Sequence, residues 1–145
     1  MTIKLATVAP EGSSWMVQMR KGAAEVAKKT SGRVKIKLYG GGVMGNEKAV
    51  LRKMRIGQLQ GGAFTSGAMA TVYSDLSLYS LPMLFNSLEE VDFVRASMDA
   101  VLKKGLEKKG FACFGFAEGG MALMFSQQPV ANLDDLKGKK VWIPE

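Results

Sequence analysis

The residues able to do chemistry are few. No histidine occurs in the 145 residues, which removes the usual general base, the Ser-His and Cys-His nucleophile pairs and the commonest metal ligand. Cys113, the single cysteine, lies in the apolar run Phe111-Ala-Cys-Phe-Gly-Phe116 and reads as a small buried hydrophobe. One thiol excludes an internal disulfide and a CxxC zinc site. Ser66 has neither a histidine nor a lysine beside it to activate its hydroxyl. No catalytic residue, metal site or cofactor is therefore expected.

What remains is chemistry of binding. Phe64-Thr-Ser-Gly67 follows an apolar run, so Thr65 and Ser66 would offer neutral hydroxyl donors to a bound anion and Phe64 a wall. The competing reading of the same residues is a helix cap by Ser66. Gly40-Gly-Gly42 before a helix could cradle a phosphate on backbone N–H groups, but it lacks the Lys-Ser/Thr of a P-loop and any GxGxxG order, so a flexible loop is the better reading. Trp15 is either a cleft wall or a core anchor. Ligands in open α/β sheets lie beyond the carboxyl ends of the strands, which selects residues 9–15, 40–46, 64–67 and 118–121 and so brings in Glu118 and Met121.

These residues need a frame, and the sequence alternates strand and helix patterns. Residues 3–8 form a short apolar run, and Ser13 or Ser14 then caps a helix carrying Trp15, Met19, Ala23, Val26 and Ala27 at helical spacing. Thr30-Ser-Gly32 stops it. Residues 33–39 alternate polar and apolar as a half-buried strand. Asn46 caps a second helix with Val50, Leu51 and Met54 inward and Lys48, Arg52 and Lys53 outward, ending at Gly57 before a short strand over 59–64. A short helix and an irregular connection broken by Pro82 follow. Asn86 or Ser87, with Glu89 and Glu90, caps a long helix from Leu88 to about Lys109 with a stripe of Val91, Val94, Met98, Val101, Leu102 and Leu106. Residues 111–118, 121–127 and 140–143 read as strands, and 133–136 as a helical turn. Strands separated by helices imply parallel pairing and an α/β class.

Composition agrees with a folded chain: 47% of residues are hydrophobic and 23% charged, so disorder is a poor reading. The formal net charge of +7 invites a nucleic-acid reading. The basic residues are nevertheless interleaved with Glu25, Glu47, Glu107 and Asp134-Asp135 and carry no stacking aromatics, so solvated faces are expected and no nucleic-acid partner. No apolar run approaches the ~20 residues that cross a bilayer.

The order of six segments carries more than any one of them. These are Pro10-Glu-Gly-Ser-Ser-Trp15, Gly32-Arg-Val-Lys-Ile-Lys-Leu-Tyr-Gly-Gly-Gly-Val-Met-Gly-Asn46, Gly57-Gln-Leu-Gln60, Leu81-Pro-Met-Leu-Phe85 with Glu89-Glu90-Val91, and Leu133-Asp-Asp-Leu136 running into Lys139-Lys-Val-Trp-Ile-Pro144. In that colinear order the chain resembles the DctP-like extracytoplasmic solute receptors of tripartite ATP-independent periplasmic (TRAP) transporters. The resemblance implies a periplasmic-binding-protein-like (type II) two-lobed α/β fold closing on a small organic acid or an aromatic or apolar anion. It implies delivery of that solute to the small and large TRAP membrane subunits, and a periplasmic location after signal-peptide removal. Residues 1–118 would belong to the first lobe, and 119–145 to the interlobe crossover and the start of the second. The alternative is a ligand-sensing regulatory domain of similar fold.

The resemblance also bears on single residues. It places Asn46 where a loop and helix start can face the cleft, and Glu118 where the chain crosses between lobes, as a ligand contact or a solvated hinge carboxylate. Many relatives carry an arginine where Trp142 stands. Trp142 cannot form a bidentate fork with a carboxylate and offers an aromatic face and one N–H instead. The pattern reads as the front portion of something longer, with two expectations: weak solute binding by these residues alone, and a homo-oligomer formed through unpaired strand edges.

Overall fold

The computed structural model describes residues 1–81, 84–120 and 125–141. Two compact units divide the chain, Met1–Ser77 and Leu78–Glu145.

The first unit is built on a parallel sheet. Strand β1, Thr2–Thr7, leads through helix α1, Ser14–Lys29, to β2, Lys35–Tyr39. Helix α2, Glu47–Arg55, then carries the chain to β3, Gly61–Ala63, on the other side of β1. The order is β2-β1-β3, with Ile3 opposite Ile36, Leu5 opposite Leu38 and Gly61, and Thr7 opposite Ala63. The parallel pairing expected from the alternation is present.

The expected caps largely hold. The Ser13 hydroxyl accepts from the Met16 N–H, and the Asn46 side chain from Ala49. Helix α1 stops in a left-handed turn: Ser31 takes φ +51° and donates its N–H to the Lys28 carbonyl at 3.1 Å, and Gly32, at φ +76°, donates to Ala27 at 2.8 Å. Thr30 fastens this end to the strand that follows: its hydroxyl donates to the Val26 carbonyl and accepts from the Val34 N–H.

Val50 of α2 joins Ala6 and Leu59 in the core, with Tyr39, Met44, Met54 and Phe64 packed around them. Lys53, expected outward, is instead half-buried. Its stem lies along the protein and its ammonium donates to the Met44 carbonyl at 2.9 Å, satisfying a loop acceptor.

After β3 come α3, Ser66–Ala70, and a 3-10 segment, Ser74–Ser80. The second unit holds α4, Leu88–Lys108, capped by the Ser87 hydroxyl accepting from Glu90, and a 3-10 turn at Leu133–Leu136 capped by Asn132. Leu102 and Leu106 of α4 are buried, whereas Val101 is exposed. Of the two positions three and four residues after Met98, Leu102 continues the stripe and Val101 falls beside it.

Two strand expectations fail. Residues 111–118 and 125–127 are not strands. An alternating apolar run becomes a strand only where a neighbouring edge takes its N–H and C=O groups, and no ladder partner for them exists among the described residues. Phe114, free of any ladder, is 99% exposed. Residues 121–124, 142 and 143 lie outside the described residues, as does the expectation that they continue these strands.

Candidate ligand-binding edge

Because the three strands are parallel, their carboxyl ends lie at one edge of the sheet. The strand order reverses about β1, which makes this edge a topological switch point. The loops there are tied together. Gly41 donates to the Ala9 carbonyl at 2.7 Å and Gly42 to the Thr7 carbonyl at 3.2 Å, joining the β2 loop to the β1 loop. Gly40 permits the approach: a Cβ there would stand 2.7 Å from Glu11 Oε1 and 2.8 Å from Met16 Cε. Glu11 itself receives both carboxylate hydrogen bonds, at 2.8 and 2.7 Å, from Arg20 Nη2.

The third loop is held differently. Thr65 donates its N–H to Glu47 Oε1 at 2.5 Å and its hydroxyl to Oε2 at 2.9 Å. The same hydroxyl accepts from the Ala68 N–H at 3.2 Å and so caps α3. Thr65, and not Ser66, is the cap. Ser66 is half-buried, and its hydroxyl has no partner among the described residues. The Thr65 hydroxyl proton is spent on Glu47, so Ser66 carries the free hydroxyl of the pair.

Phe64 packs against the core cluster. Trp15 is 39% exposed while its neighbour Met16 is 0% exposed, so Met16 is the core anchor and Trp15 stands at the surface of the α1 start. Asn46 spends its side-chain oxygen on the cap, and its amide nitrogen has no partner among the described residues. Trp15, Asn46, Phe64, Thr65 and Ser66 thus all belong to the carboxyl edge of the first unit's sheet.

Glu118 belongs to the second unit, where Arg95 gathers the local acceptors. Arg95 bonds the Glu118 carboxylate through Nη1, the Phe116 carbonyl through Nη2 at 3.0 Å, and Asp99 through Nε at 3.3 Å. Asp99 also accepts from the Tyr79 hydroxyl at 2.7 Å, and the Tyr79 ring meets Phe116 edge to face at 5.8 Å. Burial first, then the hydrogen bond to Asp99 and that carboxylate's charge, push the Tyr79 phenol well above its ordinary value, with Arg95 acting the other way. Glu118 is therefore an ion-paired carboxylate and not a simply solvated one. Met121 and Trp142 lie outside the described residues.

Sequence reasoning missed Glu47, which is only 7% exposed. The signal was present: Glu47, Val50, Leu51 and Met54 stand at i, i+3, i+4 and i+7, so this acid shares the apolar stripe of α2. A carboxylate on a buried stripe must be given donors, and Thr65 gives two.

Comparison with known proteins places this arrangement. The family described as DctP, bacterial extracellular solute-binding protein, family 7, matches residues 5–145. A solute-binding protein of Chromohalobacter salexigens is 30% identical over 82% of this chain, which spans 36% of that protein. A TRAP periplasmic solute-binding protein of Ochrobactrum anthropi, crystallised with its C terminus bound in its ligand-binding pocket, superposes with TM-score 0.79 at 31% identity. That superposition covers 93% of this chain and 43% of the other. A second such protein, from Sulfitobacter sp. NAS-14.1 with bound β-D-galacturonate, gives TM-score 0.68 at 26% identity over 75% of this chain and 37% of its own. The chain spans less than half the length of each.

Proposed function

Since the chain belongs to the bacterial extracellular solute-binding proteins of family 7, we propose that it is part of a periplasmic receptor that binds a small organic acid and delivers it to a TRAP-type transporter. Its parallel sheet with flanking helices is the type II periplasmic-binding-protein fold of the solved TRAP receptors. In this reading residues 1–118 belong to the first lobe and 119–145 to the crossover and the start of the second. The observation that carries the solute class is what the two neighbours hold. One pocket contains a uronate and the other a polypeptide C terminus, and both occupants present a carboxylate.

The carboxyl edge of the sheet supports the same reading. Ser66, the Asn46 amide and the Trp15 face stand there with hydrogen-bonding capacity and apolar surface left over. Phe64 and Thr65 follow β3 at the same edge; Glu118 and Met121 are proposed as further solute contacts on the strength of the sequence alone. Trp142 brings an aromatic face in place of a guanidinium fork, which suits a ringed acid such as a uronate better than a compact dicarboxylate. The small and large TRAP membrane subunits are the partners in delivery. A contact between copies would use the outer edge of β3, because the β2 edge carries Lys35 and Lys37, which blunt strand pairing.

Titration calorimetry of the receptor containing this chain, with D-galacturonate, D-glucuronate and succinate, tests the proposal. Binding of a uronate more tightly than succinate is the expected result. A receptor that binds none of the three and is isolated with a cationic or uncharged solute by native mass spectrometry overturns it.

A further inference from the structure

The two donors left free at the candidate edge are chain neighbours of a bonded pair. Asn46 precedes Glu47 and Ser66 follows Thr65. Thr65 donates its N–H to Glu47 Oε1 at 2.5 Å and its hydroxyl to Oε2 at 2.9 Å. The inner residue of each dipeptide is thus spent on holding the start of α2 to the loop before α3, while the outer residue keeps hydrogen-bonding capacity. Asn46 uses only its side-chain oxygen, on the Ala49 N–H. The Ser66 hydroxyl has no partner among the described residues.

Folding does not call for an acid at position 47. The cap of α2 is already Asn46 and the cap of α3 is Thr65. Glu47 is 7% exposed and shares a buried stripe with Val50 and Leu51, where an apolar side chain would be taken from water at less cost than a carboxylate. What the carboxylate adds is position. Its two hydrogen bonds cross from the residue beside Asn46 to the residue before Ser66, and its place on the buried stripe keeps it from swinging away.

Charge decides what this pair of donors can meet. Residues 8–16, 40–47 and 63–73 contain Glu11 and Glu47 and no Lys or Arg. Arg20 is spent on Glu11, Lys53 donates to the Met44 carbonyl, and Lys48 lies exposed on α2. An anion taken by the Asn46 amide and the Ser66 hydroxyl would stand beside the Glu47 carboxylate, and that repulsion is strongest at a site closed to water. A solute hydroxyl accepts from either donor and carries no such cost.

We propose that Glu47 is a positioning residue for solute binding: it holds the Asn46 amide and the Ser66 hydroxyl as one rigid pair of donors for the hydroxyl groups of a sugar acid, whose carboxylate is held elsewhere in the receptor. The assignment rests on the chain being part of an organic-acid receptor, and it narrows that class to hydroxylated acids. Donors fixed before the solute arrives lose less freedom on binding it. Glu47 contributes to affinity only through them.

The test is titration calorimetry of the receptor containing this chain with D-galacturonate. Glu47→Gln should weaken binding about fivefold, and Asn46→Ser/Ser66→Ala about tenfold, the serine keeping a capping oxygen at position 46. All three substitutions together should bind within about twofold of Asn46→Ser/Ser66→Ala, because Glu47 then has nothing to position. A merely structural Glu47 would cost equally in both backgrounds, and that result overturns the proposal. Thr30→Val removes hydroxyl bonds of 2.7 and 3.1 Å beside the start of β2 and is the stability control; it should lower the urea midpoint and change affinity less than about twofold. Displacing D-galacturonate with cyclohexanecarboxylate, a ring acid without hydroxyls, should take about tenfold more ligand than displacing it with D-glucuronate. Equal displacement overturns the hydroxyl assignment. In the solute-free receptor Glu47→Ala should raise hydrogen exchange at the Thr65 N–H about tenfold, and unchanged exchange overturns the fixed pair whatever the solute. If exchange rises but D-galacturonate does not bind, the organic-acid reading fails and the role of Glu47 falls with it.

Discussion

The Glu47 carboxylate receives both the backbone N–H and the hydroxyl of Thr65, at 2.5 and 2.9 Å, across eighteen positions of sequence. The pair joins the start of α2 to the cap of α3 and so fixes the loop that presents Ser66. It also explains why an acid is tolerated on a buried helix face, since both of its oxygens are occupied by donors.

Glu47→Ala should therefore lower stability by about 1–2 kcal/mol, because it removes the acceptor of the part-buried Thr65 N–H and hydroxyl bonds. Glu47→Gln retains one acceptor and should cost about 1 kcal/mol. Urea midpoints at constant slope measure both. Equal losses for the two variants would mean that side-chain volume, and not the paired hydrogen bonds, sets the cost.

Two glycine-to-alanine changes should have opposite signs. A Cβ on Gly62 would stand 2.6 Å from the Ala6 carbonyl oxygen and 2.9 Å from the Phe64 ring, and the oxygen belongs to the backbone of the β1 strand beside it. Gly62→Ala should cost about 1–3 kcal/mol. A methyl group on Gly22, inside α1, would meet nothing within 4 Å, so Gly22→Ala should add about 0.5–1 kcal/mol through helix propensity. Thermal unfolding of the two single variants reads the difference in sign.

Tyr79 gives a pH dependence. Its phenol is held well above its ordinary value by burial and by Asp99. The unfolded chain ionises this group near pH 10 while the folded protein keeps its proton, so the stability it contributes is fully present below about pH 10 and lost as pH rises beyond it. Urea midpoints between about pH 9 and pH 11.5 should fall, and Tyr79→Phe should flatten part of that slope. Tyr73, raised mainly by its hydrogen bond to Asp75, is the control, because its phenol is exposed. A slope unchanged in Tyr79→Phe assigns the alkaline loss to other groups.

What the sequence could convey depended on range. The caps at Ser13, Asn46 and Ser87 and the stop at Gly32 were legible because each acts within a few residues of itself. The three parallel strands followed from alternation with helices. The contact of Glu47 with Thr65 was not legible as a pair, since an acid in a first helical turn already has a local reason to be there. Residues 111–118 misled for the opposite reason: propensity is local, but a strand is defined by a partner. At the candidate edge, the positions of Trp15, Asn46 and Ser66 were readable from the strand-end rule, whereas the commitment of the Thr65 hydroxyl to Glu47 required the fold.

The last prediction concerns Arg95, whose guanidinium serves Glu118, Asp99 and the Phe116 carbonyl from three different nitrogens. Such service depends on the planar fork. A lysine ammonium is a single point of donation and cannot reach all three acceptors at once. Arg95→Lys should therefore lose nearly as much stability as Arg95→Ala, each about 1–2 kcal/mol, since the ion pairs are partly open to solvent and screened. A double-mutant cycle of Arg95→Ala with Glu118→Gln should give a coupling of about 1 kcal/mol, larger than the coupling of Arg95→Ala with Asp92→Asn, whose carboxylate stands 3.8 Å away and is mostly exposed. The same Glu118→Gln variant bears on the solute. If the carboxylate serves Arg95 alone, uronate affinity should stay within about threefold while stability falls; a larger loss of affinity at unchanged stability would transfer Glu118 from the ion pair to the binding site.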